Sequence, residues 1–348
     1  MTNIPLTQLA HGGGCGCKIA PDRLAAILSG LPSRLVPPEL LVGIQSSDDA
    51  AVYQINPTQA IVATTDFFLP IVDDPADFGA IAATNALSDI YAMGATPIFA
   101  LAIVGMPVNV LSDSVISQIL AGGESVCNRA GIPLAGGHTI DSNEPFYGLV
   151  AIGLVNPKHL KRNDTSQADD LLVLAKPIGI GILGAAHKQG KLDAAGYKDM
   201  RDTALMLNLP GKELAEVQGI NAMTDVTGFG LIGHLLEFCR GAKLAAEISY
   251  KAIPLLFQAE DYAKSGLVTG ASKRNLNACA KETEFSSEIL PWQRDLLADP
   301  QTSGGLLVAL DKSALAEAMK IFNSHGFTKV SIIGRMLNKS YPRIYVLP

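Results

Sequence analysis

Hydrophobic and polar positions along this chain follow two periods, and the switches between them outline its elements. Gln59 to Phe68 reads as a strand in which Ile61, Val62 and Ala63 lead into Thr64-Thr65-Asp66. From Pro75 to Met93 the spacing is helical, with Asp74 as N-cap, Pro75 in the first turn and Gly94 as C-cap. Beyond its first turn this helix is apolar on nearly all sides, which predicts burial. Two of its polar exceptions, Asn85 and Asp89, are four residues apart and so share one face. Ile98 to Val104 is a further strand and Leu111 to Ala130 an amphipathic helix. Ile132 to Ala135 is predicted to feed a glycine turn at Gly136-Gly137-His138-Thr139, and Tyr147 to Val155 closes the first half. A polar stretch from Asn156 to Asp170 interrupts the pattern and reads as a domain boundary.

The second half restarts with a strand from Leu171 to Ala175 and a helix opened by Gly179-Ile-Gly-Ile-Leu-Gly. Asn-Ala-Met-Thr-Asp-Val-Thr-Gly-Phe-Gly (221–230) precedes a helix from Leu231 to Cys239, and Asp-Pro-Gln-Thr-Ser-Gly-Gly (299–305) precedes a strand from Leu306 to Leu310. A helix from Ser313 to Ser324 and strands at Val330 to Ile333 and Arg343 to Leu347 finish the chain. Mixed helices and strands on both sides of the boundary predict two α/β or α+β domains, each a sheet covered by helices. The expected division is a loop at 1–20, an N-terminal domain at 21–156 with a first short helix from Pro21 to Leu31, a linker at 157–169 and a C-terminal domain at 170–348.

One stretch fits neither period. His11-Gly-Gly-Gly-Cys-Gly-Cys-Lys18 is too rich in glycine for a helix or a strand. It reads as a mobile loop carrying a sulfur nucleophile, with Cys15 unobstructed between two glycines and Lys18 and His11 as the cations that would favour its thiolate. A second polar centre, Ser46-Ser47-Asp48-Asp49, sits just before an apolar strand.

Composition narrows the class. Only 17% of the 348 residues are charged against 48% hydrophobic, which predicts a deeply buried core and an oligomer hiding further apolar surface. The net charge is −6 and no Lys/Arg run is present, which argues against nucleic-acid binding. No apolar run reaches membrane-spanning length and no secretory signal is visible, so a cytoplasmic protein without a membrane partner is expected. An odd count of five scattered cysteines agrees with a reducing compartment and against a disulfide framework.

Chemistry then rests on the thiols and on single aspartates in apolar or glycine-rich settings: Asp48, Asp49, Asp66, Asp89 and Asp225. For any one of them a turn or cap role is the simpler reading. Asp89 argues otherwise, because a carboxylate inside a buried helix caps nothing and is costly without a partner. Converging carboxylates repel one another, and oxygen-only ligands at loop and strand ends suit magnesium bridging phosphates. Zinc ranks below this, since Cys15 and Cys17 lack a second ligand pair. No Walker-type Gly-Lys-Ser/Thr exists, so a nucleotide site here would hold phosphates through metal ions.

Taken together, these motifs resemble selenophosphate synthetase, a family of the aminoimidazole ribonucleotide synthetase-like ATP-binding superfamily. The resemblance rests on residues 11–18, 48–53, 64–68, 82–89, 135–141, 224–230 and 299–305, and the Cys-Gly-Cys-Lys loop separates this family from its siblings. It implies that ATP, selenide and water give selenophosphate, AMP and orthophosphate, with magnesium required and more than one ion expected. It implies Cys15 as catalytic cysteine, Lys18 as a catalytic lysine on the phosphates, and Asp49, Asp66, Asp89 and Asp225 as metal ligands. Asp66 and Asp89 would also face the nucleotide, as would Ser46, Ser47, Asp48, Gly137, His138 and Thr139. A homodimer is implied, with N-terminal strands of two subunits joined in a shared barrel and the C-terminal domain an α/β sandwich, and a selenium-delivery protein is a further partner the family leaves room for. The rivals are a sibling synthetase, which would lack the cysteine loop, and a non-catalytic metal- or redox-sensing module.

Overall fold

A computed structural model of the chain describes residues 4–19, 23, 26–27, 36–43 and 48–348. The helix expected from Pro21 to Leu31 falls almost wholly outside these, and Ser46 and Ser47 lie outside them too.

The first half builds a six-stranded sheet from β1 (Leu40–Val42), β2 (Ala51–Asn56), β3 (Gln59–Phe68), β4 (Thr96–Met106), β5 (Leu134–Asp141) and β6 (Phe146–Val155), in the order β1-β2-β3-β6-β4-β5. A tight turn joins β2 to β3, where the Asn56 side chain accepts from the Thr58 amide at 2.9 Å and mimics a backbone turn. Pairing is antiparallel except between β4 and β5. One correction concerns β5. The strand runs through Gly136-Gly137-His138-Thr139 rather than turning there, as an exposed edge. Gly137, at φ +153, lies so close to β4 that a Cβ would meet the Ala102 carbonyl.

Helix α1 (Pro75–Ala92) covers the inner face of this sheet, capped by the Asp74 carboxylate accepting from the Asp77 amide. Helix α2 (Asp113–Arg129) packs on α1, and Gly79 and Gly122 make the approach close: a Cβ on either would strike the other helix's backbone at 1.8 and 2.1 Å. The opposite face of the sheet carries apolar side chains in the open. Tyr53, Ile55 and Phe67 are each about half exposed.

The second half forms a seven-stranded sheet from β7 (Leu171–Leu174), β8 (Ile220–Asp225), β9 (Ala245–Ser249), β10 (Thr283–Phe285), β11 (Leu306–Leu310), β12 (Ser331–Leu337) and β13 (Ile344–Leu347), ordered β10-β13-β9-β12-β7-β11-β8. Its central strands β7 and β11 are buried on both faces. In β7 and β11 the two-residue period sends Leu172, Leu174, Leu307 and Ala309 into one core, and Val173, Leu306, Val308 and Leu310 into another. Three helices matter for the site: α3 (Ile180–Lys188), α4 (Gly230–Ala242) and α5 (Gly270–Cys279).

Helix α1 joins the halves. It packs on β3 and β6 of the first sheet and reaches β8 of the second. Asn208 of the second half donates to Ser88 Oγ at 2.7 Å, and a Cβ on Gly211 would strike the Tyr91 carbonyl. Among the described residues no helix is long and apolar enough to cross a membrane.

Candidate active site at the domain junction

Three elements from both halves bring carboxylates together. Asp49 precedes β2, Asp89 lies on the last turn of α1, and Asp225 ends β8. One oxygen from each falls within 4.8 Å of the others. Threonines orient two of them: Thr224 Oγ1 donates to Asp49 at 2.8 Å and Thr64 Oγ1 to Asp89 at 2.6 Å. Among the described residues, Asp225 Oδ2 is buried with no hydrogen-bond partner. Burial, followed by the neighbouring carboxylates, holds the pKa values of Asp49 and Asp89 well above the usual range, and burial raises that of Asp225. At about 4 Å and an effective dielectric of about 20, two like charges repel by about 4 kcal/mol. Such a cluster favours either protons or a cation.

The glycine-rich loop closes over this cluster. Gly14, at φ +55, makes an isolated bridge to Leu69, its amide donating to the Leu69 carbonyl at 2.8 Å. Cys15 to Cys17 then form a single 3-10 turn. The Cys15 amide donates to Thr302 Oγ1 at 3.1 Å and its thiol to Asn85 Oδ1 at 3.3 Å. Lys18 Nζ lies 3.1 Å from Asp66 Oδ2, an oxygen that also accepts from Asn85 Nδ2 at 2.7 Å. Asn85, on α1 one turn before Asp89, therefore ties the loop to the acidic wall.

This seating corrects the picture of an unobstructed Cys15. The residue is 1% exposed and packs in the core. Burial and then Asp66 push its pKa up, and Lys18 only partly offsets them, so the cation expected to favour a thiolate is outweighed. His11 plays no part in it, because its ring is engaged by Glu144 at 2.8 Å. Withdrawal from water works against the Lys18 ammonium, yet Asp66 and, behind it, Asp89 hold its pKa above the ordinary value.

The seat for the loop comes from the 299–305 motif, to which sequence reasoning gave no residue roles. Asp299 Oδ2 accepts from the Gly181 and Ile182 amides, and Gln301 Oε1 from those of Gly179 and Ile180, so the pair caps the N-terminus of α3. Ser303 takes φ +56 and donates its amide to Asn85 Oδ1 at 2.7 Å. Beneath it the buried Lys176 Nζ donates to the carbonyls of Ser303 and Met206 at 2.8 and 2.6 Å, and burial pulls its pKa down to about 7. Thr224, beside Asp225, and Thr64, two residues before Asp66, lie within the quoted motifs; Lys176 gave no signal, since a lysine after a strand is ordinarily exposed.

The remaining expected residues are placed differently. Asp66 stands outside the triad, engaged by Lys18 and Asn85. Asp48 Oδ1 accepts from the Asn163 amide at 2.8 Å, which anchors the segment between the sheets. Gly137, His138 and Thr139 lie on exposed β5, and no hydrogen bond among the described residues joins them to the aspartates. All five cysteines are free.

Two family models match the chain, one in each half. Residues 47–155 match the family described as AIR synthase related protein, N-terminal domain, and residues 167–346 match the corresponding C-terminal domain. The chain is 58% identical to "Selenide, water dikinase" of Dechloromonas aromatica, covering 96% of each chain, and 57% identical to the protein of that name from Pseudomonas straminea, covering 98% of this chain and 96% of the relative. Among solved structures it resembles thiamine-monophosphate kinase from Stenotrophomonas maltophilia (TM-score 0.63, 21% identity, 95% and 96% covered). It also resembles hydrogenase maturation protein HypE in complex with ATP (TM-score 0.64, 19% identity, 99% and 94% covered). At such identities these two structures speak for the fold.

Proposed function

Because this chain belongs to the selenide, water dikinase family of AIR synthase related proteins, we propose that the seated loop and the acidic cluster are the parts with which it works. It makes selenophosphate from selenide and ATP, with AMP and orthophosphate as the other products. The observation that carries the assignment of parts is the convergence of Asp49, Asp89 and Asp225, from both domains, beneath a loop bearing Cys15 and Lys18.

The carboxylates fit a hard divalent cation. They offer oxygen ligands only, they repel one another, and Asp225 Oδ2 is buried with no donor among the described residues to satisfy it. Asp49, Asp89 and Asp225 would hold magnesium, with Asp66 beside them and more than one ion present when ATP is bound. Such ions neutralise phosphate charge and polarise phosphoryl oxygens.

The chain's own residues do the rest. Lys18 swings from Asp66 to the phosphates and stabilises charge on the transferring group. Asn85 holds the Cys15 thiol and the Asp66 carboxylate in one frame, so loop closure and nucleotide placement are coupled. Cys15, protonated and withdrawn from water, closes the site against solvent and holds the selenium nucleophile in line. Asp48, Ser46 and Ser47 border the nucleotide, and Gly137, His138 and Thr139 contact it from the open strand β5. The exposed apolar face of the first sheet pairs with that of a second copy to form a homodimer.

The direct test is phosphorus NMR of the purified protein with ATP, magnesium and selenide. AMP together with a selenium-bonded phosphorus is expected; ADP alone, or turnover indifferent to selenide, would overturn the reading.

A further inference from the structure

The outer side of the loop forms one wall of a cavity of about 490 Å³, through Gly12, Gly13, Gly16 and Cys17. Small and apolar residues of α3 and the start of α5 make the facing wall, with Ile71 beside them. None of Asp49, Asp66, Asp89 and Asp225 lines it. Two cations do: Lys188, at the end of α3, and Arg274, on α5. Each is bound to a loop carbonyl, Lys188 Nζ to Ala10 O at 2.6 Å and Arg274 Nη2 to Gly16 O at 3.0 Å. Neither makes an ion pair among the described residues, although both act electrostatically on the Cys17 thiol. Glu144, the carboxylate acting on the same thiol, is engaged by His11. Arg274, Gly16 and Ala271 also line a crevice of about 10 Å³, room for about one water, that touches Cys15 and Lys18. Cavity and crevice therefore share a wall, and Arg274 faces both.

Cys15 is sealed at 1% exposure while the loop is seated, so a small nucleophile needs another way in than the one the loop covers. Selenide at neutral pH is a monoanion, large and weakly hydrated for its charge. Apolar walls with two cations that make no ion pair among the described residues, Glu144 acting on Lys188 only at longer range, suit such an ion, whereas a nucleotide triphosphate needs the metal-holding carboxylates on the other side of the loop.

We propose that this cavity is the entry vestibule for selenide, with Lys188 and Arg274 guiding a small monoanionic chalcogenide along the crevice to Cys15 and Lys18. The proposal rests on the selenophosphate reading. A hydroselenide ion is larger than the free space of the crevice, so the Gly16 turn has to give way locally as the ion passes, while the nucleotide enters separately.

Initial rates at saturating ATP and magnesium, with free hydroselenide varied, test it on Arg274→Met, Lys188→Met, the double variant and Arg274→Lys. The KM for selenide is expected to rise roughly tenfold or more in the Met variants, the scale on which charged clefts steer small ions. The KM for ATP should stay near wild type, Arg274→Lys should recover part of the loss, and the salt dependence of kcat/KM for selenide should flatten in the double variant. An unchanged KM for selenide would overturn the proposal. So would equal rises in the KM for selenide and for ATP, which mark a loss of loop docking through the Gly16 and Ala10 carbonyls. Absence of a selenium-bonded phosphorus product in the wild type would instead sink the reading on which it rests.

Discussion

Cys15 gains its character from what surrounds it rather than from its own loop. Its thiol donates to Asn85, its amide to Thr302, and burial keeps it protonated. Cys15→Ser is expected to abolish selenide-dependent turnover while calorimetry still detects ATP binding; full turnover would remove the residue from the chemistry. Lys18→Met, which takes away a cation aimed at developing phosphoryl charge, should lower kcat about 10²–10³-fold with an unchanged circular dichroism spectrum. Asp299 offers a test of another kind. Burial raises its pKa to about 7, although four hydrogen-bond donors favour its charged form. An unfolded aspartate titrates near about 3.9, so between these values the folded chain holds a proton that the unfolded chain has released. Folding at this site is thus favoured as pH falls, fully below the unfolded value, and the gain is lost as pH rises through about 7. Thermal melts of Asp299→Asn and wild type from pH 5 to 8 should show the variant's relative stability falling as pH is lowered. A difference that stays constant with pH would contradict the shift.

At the scale of elements, α1 is both a core helix and the bench on which the site is laid. Its inner surface packs on β3 and β6, and the Asn85–Asp89 face predicted from four-residue spacing looks toward the second half. Gly79→Ala would force α1 away from the Ile119 carbonyl of α2, an overpacking worth roughly 1–3 kcal/mol of lost stability, read as a lowered Tm. Gly14→Ala should act differently. It places a Cβ 2.2 Å from Thr302 Oγ1 at a backbone angle that disfavours side chains, so the loop loses its seat. Turnover should fall steeply while Tm hardly moves, because the loop holds little of the core. A variant with wild-type kcat would show that seating is dispensable. The glycine run at 136–139 shows how local signals mislead: glycines read as a turn, but here they let an edge strand approach β4 closely.

For the whole molecule, the open apolar face of the first sheet sets the assembly. Tyr53, Ile55 and Phe67 alternate outward from β2 and β3 while Val52, Ala60 and Val62 fill the core. Phe67→Glu together with Ile55→Glu should convert a dimer into a monomer by light scattering, with the inner core intact. A dimer of unchanged mass would place the interface elsewhere.

The sequence by itself determined many of the elements and the reactive letters, though not the strand β8 that carries Asp225. An apolar strand leading into Asp66, a helix too apolar to be anything but buried, and a cysteine loop too rich in glycine for regular structure are all local facts, written within a few turns or strand lengths. Only the tertiary structure decided that carboxylates from before β2, from α1 and from β8 meet within 4.8 Å, and that a loop residue becomes one of the most buried thiols. It also decided that Asp48 anchors the segment between the sheets and that Lys176 lies beneath the Ser303 turn. Periodicity reports which face of an element is hidden, not which distant element hides it. The pKa of a buried group is set by those distant neighbours, whose identity emerges only when both domains close on α1.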